Sequence, residues 1–556
     1  MSDQDEQQGI LRSSAVMAAG TVVSRLTGFL RAGLLAWALG PLLHADIFNL
    51  ANTIPNMLYI LLAGGIFNAV LVPQLVRAMK HDEDGGDAYT NRVLTLAVLF
   101  LGVVTILLVV AAPWVMAPFL GSAWDSLPAQ RESVIAFARY CLPQVFFYGM
   151  FVLVGQILNA RGRFGPMMWA PIANNFISVA VLSAYLVIHG QPADLCGPFT
   201  SSQELLLGLG STLGIAVQFL ILLPFLRAAG FRFHPRFDFG DAGLGHTLRL
   251  GMWTVLFVVV NQLAYTVVAR LAGSGTAQVA LDTCSPATQA TGYTVYSTAF
   301  LIVMVPHSVV TVSLATAILP RLSAHAADQD LSAMGRTLIG ALRSVLAVIV
   351  PFVALMPIIA PDLANLLLGH GATRESYSLY VPTLSLFGIG LFFFTVHYLM
   401  LRGFYAIELT RTVFWIQCVV ATTNIVVAVV AVPHVDPVDT APMLVGAYSA
   451  AYAVGASVSF LVLGQRIGRL GDAQLVRYAV RLALAVALTA AAAYLVSRLV
   501  HVWLGAHPSW VISTVILAGV STLGVAIYLG LARLFDLTEV RAIWNMLGGR
   551  LLRRAR

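Results

Sequence analysis

"VLTLAVLFLGVVTILLVVAAPWVMA", residues 93–117, carries no charged side chain from one end to the other. At about 1.5 Å of rise per residue, a helix of this length exceeds the roughly 30 Å hydrocarbon core of a bilayer. The run reads as a transmembrane helix, and the chain around it repeats the pattern. Its 556 residues are 59% hydrophobic and only 10% charged, with a mean hydropathy of +0.84, far from the balance of a soluble domain. Comparable runs fall near 14–39, 45–78, 133–157, 167–189, 205–227, 250–271, 293–318, 339–360, 379–401, 412–432, 442–463, 478–500 and 510–534. The sequence therefore predicts an all-α polytopic membrane protein of about fourteen transmembrane helices. Residues 1–9 are polar and acidic and the first run holds arginines, so that run is expected to stay as a span rather than be removed as a signal peptide.

Fourteen spans put both termini on one side, and the basic residues choose it. With the N-terminus in the cytoplasm, the outer side holds only Arg131, Arg270, Arg374 and Arg498, while Arg25, Arg31 and Arg139 fall inside spans. The other basic residues lie at inner loops and inner helix ends. The net charge of +7 is thus a positive-inside signal plus a basic tail, "GGRLLRRAR", suited to anionic lipid, and nucleic acid is not expected as a partner. The longest connections, 227–249 and 272–292, flank the seventh span. They suggest an N-terminal lobe over 1–228, a C-terminal lobe over 229–464, and two further spans with a basic tail over 465–556. Of the four cysteines, Cys141 and Cys418 fall in spans, whereas Cys196 and Cys284 fall in polar loops on the outer face. A disulfide between the last two and a pair of separate thiols both remain open.

Enzyme chemistry has little to stand on. The chain has no GxxxxGK[ST] phosphate loop, no HExxH and no paired CxxC, so neither an enzyme, nor a metal site, nor a cofactor is expected. Transport without a nucleotide site must draw on membrane potential or an ion gradient, which leaves a coupling cation open. His307 and His397 are candidates for intramembrane roles, against the plainer reading of packed, hydrogen-bonded imidazoles.

Polar groups inside spans are costly and usually face a cavity or a partner. In "ADIFNLANTIPNMLYILLAGGIFNAVLVPQ" (45–74), Asp46, Asn49, Thr53 and Asn56 recur at steps of three, four and three and share one helix face. Pro55 removes a backbone hydrogen bond, so this span is expected to bend. A bent span with a polar stripe reads as cavity lining; asparagines gluing neighbouring helices together is the alternative. The first span, "VSRLTGFLRA" (23–32), adds Arg25 and Arg31, about 120° apart on a helix. A guanidinium donates a bidentate fork that suits phosphate. Snorkelling, or pairing with Asp46, would make these arginines structural instead.

"SRLTGFLR", "ADIFNLANTIPN" and "GGIFNAVLVPQL" together resemble the N-terminal signature of the MurJ/MviN family, lipid II flippases of the MOP transporter superfamily. "ILNARGRFGPMMWAPIANN" (157–175), "VPHSVVTVSLATAILPRL" (305–322) and "GFYAIELTRT" (403–412) extend the likeness over some 400 residues. The resemblance implies two six-helix lobes around a cationic cavity, with the last two spans forming a groove for a lipid tail. It also implies movement of an undecaprenyl-pyrophosphate-linked peptidoglycan precursor from the inner to the outer leaflet of the bacterial cytoplasmic membrane, beside cell-wall synthesis proteins. Arg25, Arg31 and Asp46 match the family's charged positions. Tyr59 and Ile60 stand where many members carry arginines, Leu301 stands near its eighth-span arginine, and Ala32 replaces an acidic neighbour. A polysaccharide-lipid or drug exporter of the same superfamily, or a non-transporting scaffold for cell-wall assembly, are the other readings.

Overall fold

The computed structural model describes residues 20, 23–62, 75, 78–79, 84–238, 244–282, 289–468, 470–471, 473–505 and 508–540, and among them there is no β-strand. Twelve helices among the described residues are long and apolar enough to cross a membrane. The sequence anticipates fourteen. The difference lies in the first two runs: residues 63–74 and the N-terminal part of the first run fall outside the described residues, and the second span is broken into short pieces. The described residues form two compact units, one drawn from 1–288, 292–294 and 371–373, the other from 289–291, 295–370 and 374–556.

In the first unit, helix α1 covers residues 23–39 and ends at Gly40, whose φ of +77° suits glycine. A Cβ there would also stand 2.7 Å from Leu195 Cδ2. α2 (Leu43–Ala51) and α3 (Thr53–Ile60) follow, interrupted at Asn52. Pro55 explains the interruption: it has no N–H to give the carbonyl of Ala51, so the helical ladder fails just upstream of the ring. Next come α4 (Asp87–Val110), α5 (Pro128–Cys141), α6 (Gln144–Ala160), α7 (Gly165–His189), α8 (Ser201–Leu220), α9 (Leu222–Ala228) and α10 (Leu244–Asp282). α2 packs on α5 and α10, α3 and α4 pack on α6, and α8 packs on α7. Leu94 and Leu101 of α4 and Met150, Leu153 and Val154 of α6 share one core, while Leu99, Phe100, Val103 and Ile106 of α4 point outward. That exposed apolar face is what lipid would cover.

In the second unit, residues 295–303 of α11 (Tyr293–Val303) lead through a single π-turn at His307–Thr311 into α12 (Val312–Ala327). α13 (Leu331–Leu368) begins at Asp330, whose carboxylate accepts from the Ala333 N–H at 2.8 Å. It contains Pro351, Pro357 and Pro361. α14 (Tyr380–Ala406), α15 (Thr410–Ala431) and α16 (Thr440–Ile467) pack together, and α17 (Ala473–Leu504) and α18 (Trp510–Leu534) pack on α13. Polar side chains pin that last junction: Asn365 donates to Ser513 Oγ and to the Pro508 carbonyl, both at 2.9 Å, and His501 Nε2 lies 3.5 Å from Asp362.

Candidate functional site

A cavity of about 170 Å³ opens inside the first unit. Each wall is a helix face read at intervals of three or four residues. α1 contributes Arg31 and Leu35; α2 and the break contribute Phe48, Asn49 and Asn52; α3 contributes Asn56. α6 adds Gln144 and Tyr148, α7 adds Asn174, Ser178, Val181 and Leu182, and α8 adds Leu207, Ser211 and Ile215. Five of these side chains are carboxamides, Arg31 is the lone charge among them, and no carboxylate lines the space among the described residues.

The polar lining is held in place by its own bonds. Gln144 donates to the Asn52 side-chain oxygen at 3.1 Å, and Tyr148 donates its hydroxyl proton to that of Asn56 at 3.2 Å. Asn52 and Asn56 spend N–H groups on the carbonyls of Phe48 and Asn52, four residues back, at 3.0 and 2.8 Å. These bonds brace the two turns flanking the break. The ring of Tyr59, a position where arginine is common in the resembling family, lies 4.7 Å from the ring of Tyr148. α7 is fastened to α1 by Asn175, which donates to the Ser24 carbonyl and to Thr27 Oγ1 at 3.0 and 2.9 Å.

The six binding residues expected from the sequence do not all meet here. Arg31, Asn49 and Asn56 line the cavity. Arg25 is exposed on α1 and is not part of the lining. Asp46 is fully buried and looks elsewhere: its carboxylate accepts from Thr276 Oγ1 at 2.6 Å, from the Tyr293 amide at 3.1 Å and from the Thr294 amide at 2.6 Å. No arginine takes part in that set. Thr53 likewise donates to the Tyr293 hydroxyl at 2.8 Å, and Asn49 donates to Thr294 Oγ1 at 2.9 Å. One edge of the stripe is therefore spent on holding α2 and α3 against residues 276 and 293–294, and only the adjoining edge reaches the cavity. Asn52, Gln144, Tyr148, Asn174, Ser178 and Ser211 lay outside the expected set. Their signal was there to read, as polar pairs four apart in otherwise apolar spans: Gln144 with Tyr148, and Asn174 with Ser178.

Above the α1–α2 turn, the loop after α7 is docked by backbone. The His44 amide donates to the Leu195 carbonyl at 2.8 Å, His44 Nδ1 donates to the Gly197 carbonyl at 2.9 Å, and its ring stacks on Phe199 at 3.6 Å. Cys196 in this loop is disulfide-bonded, and Cys141 and Cys418 are free. Cys284 lies outside the described residues. His307 and His397 are buried in the second unit, where their Nδ1 atoms meet Thr395 Oγ1 at 3.1 Å and Ser459 Oγ at 2.9 Å.

The family model described as lipid II flippase MurJ matches residues 35–516. A protein of Rhizobium meliloti named "Probable lipid II flippase MurJ" is 26% identical over 490 residues, which cover 87% of this chain and 86% of the relative. A "Lipid II flippase MurJ" of Burkholderia cenocepacia is 24% identical over 414 residues, covering 72% and 74%. Among solved structures, a lipid II flippase MurJ in an inward closed conformation superposes with a TM-score of 0.70 at 17% identity over 94% of this chain and 98% of its own. An inward-facing multidrug resistance MATE family transporter of the MOP superfamily reaches 0.61 at 16% identity over 82% and 98%. The superpositions establish a fold common to both kinds of transporter, and the match spanning 35–516 decides between them: the chain belongs to the MurJ family of lipid II flippases.

Proposed function

We propose that this chain carries the headgroup of lipid II, the undecaprenyl-pyrophosphate-linked peptidoglycan precursor, from the inner to the outer leaflet of the bacterial cytoplasmic membrane. The observation that carries this reading is the chemistry of the first-unit cavity, lined among the described residues by one guanidinium, five carboxamides and no carboxylate. A transporter of organic cations needs an acid in its site. An anionic, sugar-bearing headgroup needs this set instead, with Arg31 forking onto a phosphate and the carboxamides meeting hydroxyl and acetamido groups. Arg25, six residues and about 9 Å away along α1, is the second anion contact in this proposal. Asp46 keeps α2 in position rather than touching substrate.

The polyprenyl tail stays in lipid while the headgroup passes through a wet, polar path by alternating access of the two lobes, with both chain ends in the cytoplasm. An inside-negative potential favours outward movement of negative charge by roughly 2.3 kcal/mol per charge per 100 mV, so the transfer needs no nucleotide. A coupling cation would add an ion gradient to the same drive. A bond from Cys196 to Cys284 on the outer face belongs to the proposal, and non-reducing peptide mapping that finds a free Cys284 thiol removes it.

Binding of the purified chain to lipid II and to a neutral polyprenol of equal length is the direct test. Preference for lipid II that disappears in Arg31→Ala is the expected result. Equal affinity for the two lipids would refute the proposal.

A further inference from the structure

The connection after α9 is an unusual piece of surface. Gly230, with φ at +85°, reverses the chain, and the Phe231 amide then donates back to the Leu226 carbonyl at 3.3 Å. Residues 231–238, "FRFHPRFD", continue without helical structure and are strapped along α4. The His234 amide donates to Asn91 Oδ1 at 2.7 Å and the Arg236 amide to Thr95 Oγ1 at 3.0 Å. Arg92 closes on Asp238 through Nε at 2.9 Å and Nη2 at 2.6 Å, and this bond holds the Asp238 carboxyl below the usual carboxylate range. Arg161, paired with Asp87, donates to the Ala229 carbonyl at 3.3 Å and lies over the Phe231 ring at 5.1 Å. Three polar side chains of one helix thus capture this strap at its backbone and at Asp238, leaving most of its other side chains facing out.

Those side chains have a particular character. Phe233 is 45% exposed and Phe237 68% exposed, and Arg232 and Arg236 alternate with them. Arg163 and Arg227, exposed on the two turns that Arg161 ties together, add further charge; neither they nor Arg232 make an ion pair among the described residues. The height of the strap says what such a surface meets. Its backbone climbs α4 from Asn91 to Thr95, where the Arg236 amide bonds eight residues or about 12 Å from the start of that helix, before Asp238 closes on Arg92. The outward apolar face of α4 begins at the next residue, Leu96, and continues through Leu99 and Phe100. Phe237, next in the chain after Arg236, therefore stands near the lower edge of the lipid-facing belt, with Arg227 and Arg232 toward the start of the strap.

We propose that residues 231–238 form an interfacial anchor whose phenylalanines enter the acyl boundary and whose arginines, with Arg227, bind anionic phospholipid headgroups. Aromatic rings and basic groups interleaved at this depth match a membrane surface of negative charge, where apolar burial and headgroup attraction add. The anchor goes beyond the flippase reading and takes from it only the assignment of this end of the first unit to the cytoplasm.

Two measurements on the full chain test it. A nitroxide placed by Phe237→Cys in a Cys418→Ser background should be reached by oxygen more readily than by an aqueous nickel complex in vesicles of seven parts phosphatidylcholine to three of phosphatidylglycerol. Native mass spectrometry of the detergent-purified chain should show that Arg227→Gln with Arg232→Gln lowers the preference for phosphatidylglycerol over phosphatidylcholine by about thirty-fold, as two interfacial charges would. Arg31→Ala should leave that preference intact, which separates this result from any failure of lipid II binding. A label open to the nickel complex, a label shielded from both reagents as a protein partner would shield it, or an unchanged lipid preference in the double variant would each overturn the anchor.

Discussion

The polar residues of the two units start from the same pattern and meet opposite ends. In the first unit, Gln144 and Tyr148 or Asn174 and Ser178, four apart on apolar helices, turn toward a void beside Arg31. In the second, Thr395 and Ser459 sit on equally apolar helices, yet each is taken by an imidazole, His307 or His397. Rings close over them: Phe394 lies 4.6 Å from His307, and Tyr448 lies 4.6 Å from Tyr452. The difference is side-chain volume. Aromatic rings fill the space between helices in the second unit, whereas the carboxamides and serines of the first, even where Gln144 meets Asn52, are too small to fill the space beside Arg31. A polar residue in a span becomes a binding group only where its neighbours leave room.

The sharpest way to break this comparison is to remove the charge from the void. Arg31→Ala should lower lipid II affinity about 10- to 150-fold, the range for hydrogen bonds to charged groups, and should fail to complement a flippase-depleted cell at normal expression. Lysine at that position should restore part of the affinity, because the charge returns without the fork. Normal growth with Arg31→Ala would reduce the cavity to a packing defect.

Filling the void is the next largest effect. Ser211→Leu places three carbons where one hydroxyl oxygen stood and the cavity is open, and should cut transport roughly 10- to 100-fold by displacing the headgroup, while the thermal midpoint stays level or rises. A variant that transports normally would show that the substrate goes elsewhere.

Asp46→Asn sharpens the line between lining and scaffold. An amide cannot satisfy three converging donors as a carboxylate does, so folding should lose ~1–3 kcal/mol, read as a lower thermal midpoint, with lipid II affinity per folded molecule unchanged. Lost affinity at an unchanged midpoint would return Asp46 to the site. Smallest of all should be His397→Phe in the second unit, which costs about 1 kcal/mol for the unpaired Ser459 hydroxyl and leaves transport as it was. A pronounced transport defect there would mean that the second unit also uses its polar groups on substrate.

Uninterrupted apolar runs such as 93–117 announced the membrane fold, since their length alone leaves no other solution, and the Pro55 break was equally open to inspection. Site assignment was only partly legible. Helical periodicity places Asp46, Asn49, Thr53 and Asn56 on one face, but a face about 80° wide can touch two neighbours at once. Which edge met residues 276 and 293–294 depended on contacts more than 200 residues distant along the chain. Asn52 lies about 40° off the stripe, beside Asn56, and reaches the cavity from there.

The break has a consequence for energy as well as shape. Asn49 and Asn56 belong to separate helical pieces, and the joint between them has given up its ladder bond at Pro55, so the angle there is set by side-chain bonds rather than by the backbone ladder. A headgroup that engages both carboxamides fixes that angle. By thermodynamic reciprocity the angle must then govern the affinity by the same factor if the headgroup bonds to both carboxamides as proposed. In the proposed cycle such a joint would let loading of the headgroup and the bend of the second span bias each other.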